Sequence, residues 1–208
     1  MKDMGEKGAM AGEDAGAARG TTAPCLYFEV PGPGNTRPTL EAAAHRAREL
    51  DVRNVLVASN SGATGLLAAA LFQGANLVVV THSAGFSGPN RQELEPEARQ
   101  ALEEAGARVL TCQHAFGGVG RAVRKKLGTY ELEEILAFAL RTFGQGTKVA
   151  VEIALMAADA GLVPTGVPCI SVGGTGKGAD TAVLLRPANA QSFFDLRVME
   201  IIAKPRNG

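Results

Sequence analysis

Short runs of consecutive Val, Leu, Ile and Ala alternate with helical segments along most of this chain. Residues 54–59 (NVLVAS) and 76–81 (NLVVVT) are two such runs, and a segment with helical character follows each of them. A strand that is apolar on both faces must be covered on both, and the helical connections between parallel strands provide that cover. The alternation therefore predicts an α/β fold, with three layers (αβα) built around a mostly parallel sheet.

The two ends of the chain differ from this pattern. Residues 194–205 alternate imperfectly between apolar and polar side chains, which predicts a strand with one wetter face, as at the edge of a sheet. Residues 1–22 are mainly Gly, Ala and charged residues without bulky aliphatic periodicity, so we expect a flexible tail. The length of 208 residues then predicts a single domain over residues 23–208.

The charge balance limits the partners of the chain. Lys plus Arg (21) equals Asp plus Glu (21), so no global field attracts nucleic acid or an anionic membrane. No apolar stretch reaches the roughly 18 residues of a spanning helix, and residues 1–20 lack the apolar core of a signal peptide. We therefore expect a cytoplasmic protein with no nucleic-acid or membrane partner; whether it is a homo-oligomer stays open.

A turn rich in hydroxyl groups and glycine follows the first apolar strand. Ligands of open α/β sheets bind beyond the carboxyl ends of the strands, where helix amino termini present free N–H groups. A helix amino terminus combined with several hydroxyls favours phosphate. The alternative is that Ser61 or Asn60 only caps the next helix. The residues of this predicted phosphate turn are Ser59, Asn60, Ser61, Gly62 and Thr64.

Two histidines follow neighbouring strands. His82 comes directly after residues 76–81, in a loop with Thr81, Gly85 and Phe86, and His114 comes shortly after the next strand. Both imidazoles are expected to face the same crevice, although a histidine at the end of a strand is often only a hydrogen-bonding partner of its loop. No other ligand lies at metal-binding spacing, so we expect no metal.

A second glycine-rich loop, residues 173–180 (GGTGKGAD), lacks the pattern of a nucleotide-binding P-loop. Ser171 stands where the pattern needs glycine, Gly178 stands where it needs Ser or Thr, and a strand rather than a helix follows. Lys177 could still reach an anionic ligand from this loop, together with Gly174, Thr175 and Gly176. A plain turn with a solvated lysine is the alternative.

Two further segments allow more than one interpretation. Glu152 interrupts an apolar helix and either forms a surface pair with Lys148 or accepts hydrogen bonds in the ligand crevice. Residues 113–130 contain four glycines and little apolar periodicity, which predicts a loop or a mobile lid. Their basic cluster is either a solvated face or a clamp on phosphate, and it consists of Arg121, Arg124, Lys125 and Lys126.

Residues 54–69 (NVLVASNSGATGLLAA) resemble the segment of the pyruvate kinase C-terminal domain in which a Ser/Thr-x-Ser-Gly-x-Thr/Ser turn holds a sugar phosphate. Nearly all of residues 25–206 are similar to stand-alone archaeal and bacterial proteins with that fold. The resemblance implies a parallel sheet with one antiparallel edge strand. It also implies FMN as cofactor, because FMN has been found in such proteins. The catalytic barrel of about 250 residues is absent, so kinase activity is not implied.

The combined expectation is a protein that binds FMN or a similar phosphorylated ligand. An oxidoreductase and a non-catalytic allosteric or metabolite-sensing module remain as alternatives, because a fold does not define a function. A serine hydrolase has little support, because neither Ser61 nor Ser83 lies in a G-x-S-x-G turn. The residues expected at the ligand are Ser59, Asn60, Ser61, Gly62, Thr64, Thr81, His82, Gly85, Phe86, His114, Glu152, Gly174, Thr175, Gly176 and Lys177.

Overall fold

The computed structural model describes residues 20–207, which contain one seven-stranded sheet with helices on both faces. The strands are β1 (Leu26–Phe28), β2 (Asn54–Ala58), β3 (Asn76–Val80), β4 (Arg108–Leu110), β5 (Cys169–Gly173), β6 (Thr181–Arg186) and β7 (Arg197–Pro205). The helices are α1 (Thr36–Glu49), α2 (Ala63–Leu71), α3 (Pro96–Glu104), α4 (Val119–Leu127), α5 (Leu132–Arg141) and α6 (Gln145–Asp159). Short 3-10 turns cover Pro33–Asn35 and Ala190–Asp195.

The sheet has the order β1-β7-β6-β5-β2-β3-β4. Strands β5, β2, β3 and β4 are parallel, whereas β6 is antiparallel to both β5 and β7. The predicted fold class, a mostly parallel three-layer α/β fold, is confirmed. The single antiparallel strand is β6, which lies two positions in from the edge because β7 and β1 continue the sheet beyond it.

Strand β7 is an edge strand for only part of its length. β1 pairs with it in parallel from Ala203 to Pro205, at its carboxyl end. Among the described residues no strand extends the sheet beyond the first half of β7, where Arg197, Val198 and Met199 are exposed. The solvent-exposed edge strand expected from the sequence therefore corresponds to this half of β7, whereas the short β1 pairs with the other half.

Alternate residues of the central strands fill two separate cores. Val55 and Val57 of β2 face α1, α2 and α3, whereas Leu56 between them faces α6. Helix α6 is buried along almost its whole length, as its apolar composition predicts, because β2, β5 and β6 pack on one side and α5 on the other. Such burial on both faces is why the strands lack an alternation of polar residues.

The prediction that residues 113–130 form a loop is wrong, because helix α4 occupies half of the segment. The helix ends at Gly128, whose left-handed conformation (φ 75°) lets its N–H bond to the carbonyl of Arg124. Val119, Val123 and Leu127 recur every four residues, which is the spacing of one helical face, but four glycines within residues 113–130 favour a loop. In the structure Val119 and Leu127 are exposed, whereas Gly120 is buried.

The amino-terminal prediction falls mostly outside the described residues. Residues 1–19 of the expected tail are not described, and residues 20–25 precede β1 without regular secondary structure.

None of the helices in residues 20–207 combines the length and the apolar composition that a bilayer-spanning segment requires.

Candidate functional site

The loops that the sequence selects meet at one edge of the sheet. Strands β5, β2, β3 and β4 run parallel, so their carboxyl ends lie side by side. The phosphate turn follows β2, the His82 loop follows β3, the His114 loop follows β4, and residues 174–180 follow β5. This edge is where open α/β sheets bind ligands, and it is the candidate site.

In the phosphate turn, neither Ser61 nor Asn60 caps α2. The N-cap residue is Gly62, with a left-handed φ of 87°, and it supplies no side-chain cap. The buried Ser59 hydroxyl instead accepts a hydrogen bond from Gly65 N–H at 3.3 Å. The first backbone bond within the helix runs from Leu66 N–H to Gly62 O. The N–H groups of residues 61–64 precede that bond and lack partners within the helix, and the Ser61 side chain beside them is exposed.

Glycine is required at the start of α2 because the helix approaches its neighbours closely. A Cβ at Gly62 would lie 3.1 Å from Leu94 and 3.2 Å from Ala98, and the left-handed φ adds strain for any other residue. A Cβ at Gly65 would lie 2.9 Å from Leu102. Both glycines therefore serve the packing of α2 on the α3 side, so a substitution at Gly62 would disturb the fold as well as any ligand.

Asn60 joins the phosphate turn to the His82 loop. Its Oδ1 accepts a hydrogen bond from His82 N–H at 3.2 Å, and its Nδ2 lies 3.1 Å from His82 Nε2. Glu93 Oε2 lies 2.5 Å from the other ring nitrogen, Nδ1. An amide donor at Nε2 and a carboxylate at Nδ1 select the neutral ring with its proton on Nδ1. Burial also lowers the pKa of His82, although Glu93 acts in the opposite direction.

His114 is held between the His82 loop and helix α6. Its Nε2 accepts a hydrogen bond from Ser83 N–H at 3.3 Å, and its Nδ1 lies 3.6 Å from Glu152 Oε2. Glu152 also accepts from Phe116 N–H at 3.1 Å and from Lys148 Nζ at 2.5 Å. The two imidazoles lie side by side, with 5.3 Å between their ring centroids, and their role at a ligand stays a prediction.

The Lys148–Glu152 pair is buried, so the surface alternative is wrong. Glu152 is 3% exposed and Lys148 is 4% exposed. Burial alone would raise the pKa of Glu152, but His114 and the Lys148 ammonium outweigh it and lower the pKa to about 2. Burial lowers the pKa of Lys148 despite the adjacent carboxylate. Glu152 is thus a buried, ionised acceptor of hydrogen bonds from the protein itself, and its role at a ligand stays a prediction.

A cluster of three rings, His82, Phe86 and His114, forms the outer part of the site. Phe86 stacks on His82 with 3.8 Å between centroids and lies 5.2 Å from His114. The guanidinium of Arg121, on α4, lies 5.1 Å from the Phe86 centroid on its ring face. Among residues 20–207 Arg121 forms no ion pair, and its buried Nε has no hydrogen-bond partner. We call these three rings with Arg121 the ring cluster.

Residues 174–180 are anchored on the other side of the edge. Thr175 N–H donates to Asp180 Oδ2 at 3.0 Å, and Ala179 N–H donates to the Thr36 hydroxyl at 3.0 Å. Gly176 adopts a left-handed conformation and Lys177 is exposed on the turn. Within the described residues no hydrogen bond or ion pair connects this loop to the ring cluster. The role predicted for Gly174, Thr175, Gly176 and Lys177 stays a prediction.

Thr81 and Gly85 lie at the site but have structural partners. The Thr81 hydroxyl lies 2.7 Å from that of Thr111, which connects the ends of β3 and β4. Gly85 has a φ of 88°, and its N–H bonds to Arg91 O, which forms the turn that presents Phe86. These contacts position the His82 loop.

The contacts of three site residues could not be derived from the sequence. Glu93 contacts His82 eleven positions earlier in the chain, and no local pattern marks such a contact. Arg121 belongs to a basic cluster that the sequence allows to be a solvated face or a clamp on phosphate, and its position over Phe86 depends on α4, which is not predicted. Lys148 was a partner of Glu152, and the all-apolar environment of α6 was the available signal that the pair is buried.

The fold defines the class of protein: an open α/β sheet whose candidate site is formed by loops at the carboxyl edge. Residues 38–185 match the family model of the pyruvate kinase alpha/beta domain, so the chain belongs to that family. Two solved structures of pyruvate kinase from Cryptosporidium parvum are similar in part, at 14% and 15% identity with TM-scores of 0.40 and 0.37. They align over 74% and 76% of this chain, which spans 23% and 24% of theirs.

Proposed function

We propose that the protein binds a phosphorylated ligand at the carboxyl edge of its sheet, with FMN as the first candidate. One observation carries the proposal: Asn60 connects the phosphate turn to the ring cluster through two contacts with His82. A set of free N–H donors therefore lies directly beside an aromatic surface. A ligand with a phosphate and a planar ring system matches that combination.

Residues at this edge offer a partner for each part of FMN, which supports it as the first candidate. The N–H groups of residues 61–64 and the hydroxyls of Ser61 and Thr64 would hold the phosphate, while Ser59 and Asn60 keep the turn in shape. The partly exposed Phe86 ring would contact the isoalloxazine, and Arg121 offers an unpaired positive charge. Phe86 already stacks on His82, so its exposed loop must open to admit a ring between them. When bound, the flavin supplies hydride or single-electron transfer.

A sensing module is the second candidate, and a specific observation favours it. Each nitrogen of His82 and His114 already faces a partner within the protein: Asn60, Glu93, Ser83 or Glu152. Neither imidazole therefore has a free nitrogen for general acid or base chemistry in this arrangement. Binding without catalysis requires only the donors of the turn and the ring surface.

A flavin titration of the purified protein tests the proposal. We expect FMN to bind with a change in its visible spectrum, and Phe86→Ala to weaken binding by about tenfold through loss of ring contact. Phe194→Ala removes an exposed ring outside the site and should leave the affinity unchanged. The absence of FMN binding, or equal effects of both variants, would overturn the proposal.

Addition of NADH or NADPH to the FMN complex separates the two candidates. Bleaching of the bound flavin supports an oxidoreductase that accepts hydride from a nicotinamide. An unchanged spectrum of a flavin that remains bound supports the sensing module.

A further inference from the structure

Helix α5 presents apolar side chains to solvent as well as to the interior. Its inner side packs Ala137, with Leu136 and Leu140, against Val151 and Leu155 of α6. Its outer side carries Leu132, Ile135 and Phe138, which are 70%, 54% and 51% exposed. These three recur every three residues, so they form one continuous stripe along the helix.

Neighbouring residues widen this stripe into a patch. Tyr130 packs edge-on against Phe138, with 5.6 Å between ring centroids, and Leu127 and Phe143 lie close before and after α5 in the chain. All three are at least half exposed. We call these six residues the α5 patch. By contrast, the carboxylate of Glu134 is turned inward and lies 3.0 Å from Arg124 Nε. A helix of a monomeric protein normally exposes charged residues and buries apolar ones, whereas α5 exposes three apolar residues and buries a carboxylate.

The size of the α5 patch suits a protein interface. Six half-exposed Leu, Ile, Phe and Tyr side chains present on the order of 600 Å² of apolar surface, the upper end of the range for monomers. A specific interface covers about 800 Å² on each partner, with an apolar centre and a polar rim. The patch therefore supplies the centre of one such interface.

The charges beside the patch indicate a second copy of this chain as the partner. Glu131 directly precedes α5 and Arg141 is its last residue, so residue 136 lies midway between them. When two α5 helices pack antiparallel about a two-fold axis, Glu131 of each copy faces Arg141 of the other. The antiparallel helix dipoles also attract, and Ile135 and Phe138 lie next to the axis.

We propose that the protein forms a symmetric dimer in which the α5 patches of two copies pack against each other, with α5 antiparallel to α5. The patch is thus covered in solution. The dimer is independent of the proposed ligand, because none of the six patch residues belongs to the phosphate turn or the ring cluster.

Sedimentation velocity of the full chain over a wide concentration range tests the dimer. We expect the wild type to dimerise, and the double variant Ile135→Glu, Phe138→Glu to self-associate at least about a hundredfold more weakly. The matched control, Val30→Glu with Phe194→Glu, changes two exposed apolar residues outside the patch and should dimerise like the wild type. Circular dichroism verifies that both variants are folded. A wild type that is monomeric at every concentration would overturn the proposal.

A charge exchange tests the antiparallel arrangement. Glu131→Arg alone places two positive groups face to face and should weaken the dimer, while Glu131→Arg combined with Arg141→Glu should restore it. If the double variant is as weak as the single one, the proposed pairing is wrong.

Discussion

Among single residues, Gly62 gives the most direct test of how α2 packs on its neighbours. Valine there meets Leu94 and Ala98 and is strained by the left-handed φ. We expect Gly62→Val to lower the free energy of unfolding by about 2 kcal/mol or more without any ligand. Ser61→Ala, at the exposed neighbouring position, should change it by less than about 0.5 kcal/mol. Urea denaturation measures both, and equal stability of Gly62→Val and wild type would refute the packing role.

The buried Lys148–Glu152 pair gives a second prediction for single residues. Glu152→Gln leaves the Lys148 ammonium without a charged partner, so we expect a loss of about 3 kcal/mol of stability. Adding Lys148→Met removes the stranded charge and should recover part of that loss. Chemical denaturation of the three proteins forms the test. A double variant less stable than Glu152→Gln would show that charge burial is not the cause.

Residues that follow strands could be placed from the sequence, and residues that meet across loops could not. Asn60, His82 and His114 were expected together because each comes after a strand of a parallel sheet, and strand direction alone brings such residues to one edge. The contact of Glu93 with His82 depends on the path of the intervening turn. Ser59 shows a related limit, since the sequence does not indicate which polar residue of the turn bonds to the helix.

Among the structural elements, α4 gives a prediction about ligand binding. It holds Arg121 over Phe86, while Lys125 and Lys126 are exposed. If the helix closes over a bound flavin, FMN should slow tryptic cleavage at Lys125 and Lys126. Cleavage at Arg53, which precedes β2 at the opposite edge, should not change. Mass spectrometry of timed digests measures both sites, and equal rates at Lys125 with and without FMN would contradict a lid.

The antiparallel direction of β6 could be predicted from the sequence. Residues 174–180 connect β5 to β6, and a connection of that length is too short for the dozen or more residues that a parallel crossover needs. The short connection therefore predicts that β6 runs antiparallel to β5, as it does. Helix α4 was missed although Val119, Val123 and Leu127 recur at helical spacing, because the glycines of residues 113–130 resemble those of a loop. The apolar strands β2, β3 and β5 were predictable because burial on both faces leaves no polar alternation.

For the whole molecule, the stability should decrease in two steps on acidification. Burial lowers the pKa of His82 below 6.5, so below about that pH the unfolded chain binds a proton more readily than the folded one. The pKa of Glu152 is lowered from 4.5 to about 2, so its contribution is complete above pH 4.5 and disappears towards pH 2. Urea midpoints measured at a series of pH values test this, and His82→Gln should remove the first step only. An identical first step in His82→Gln would exclude His82 as its origin.

The most direct test of ligand binding at the carboxyl edge compares FMN with riboflavin, which has the same ring system without the phosphate. A hydrogen bond to a charged group contributes about 1.5–3 kcal/mol, so Ser61→Ala should weaken FMN binding by roughly tenfold to a hundredfold. Riboflavin should bind the wild type weakly and be almost unaffected by Ser61→Ala. Equal affinities of the wild type for FMN and riboflavin, or equal losses for both ligands in Ser61→Ala, would contradict a phosphate site at the start of α2.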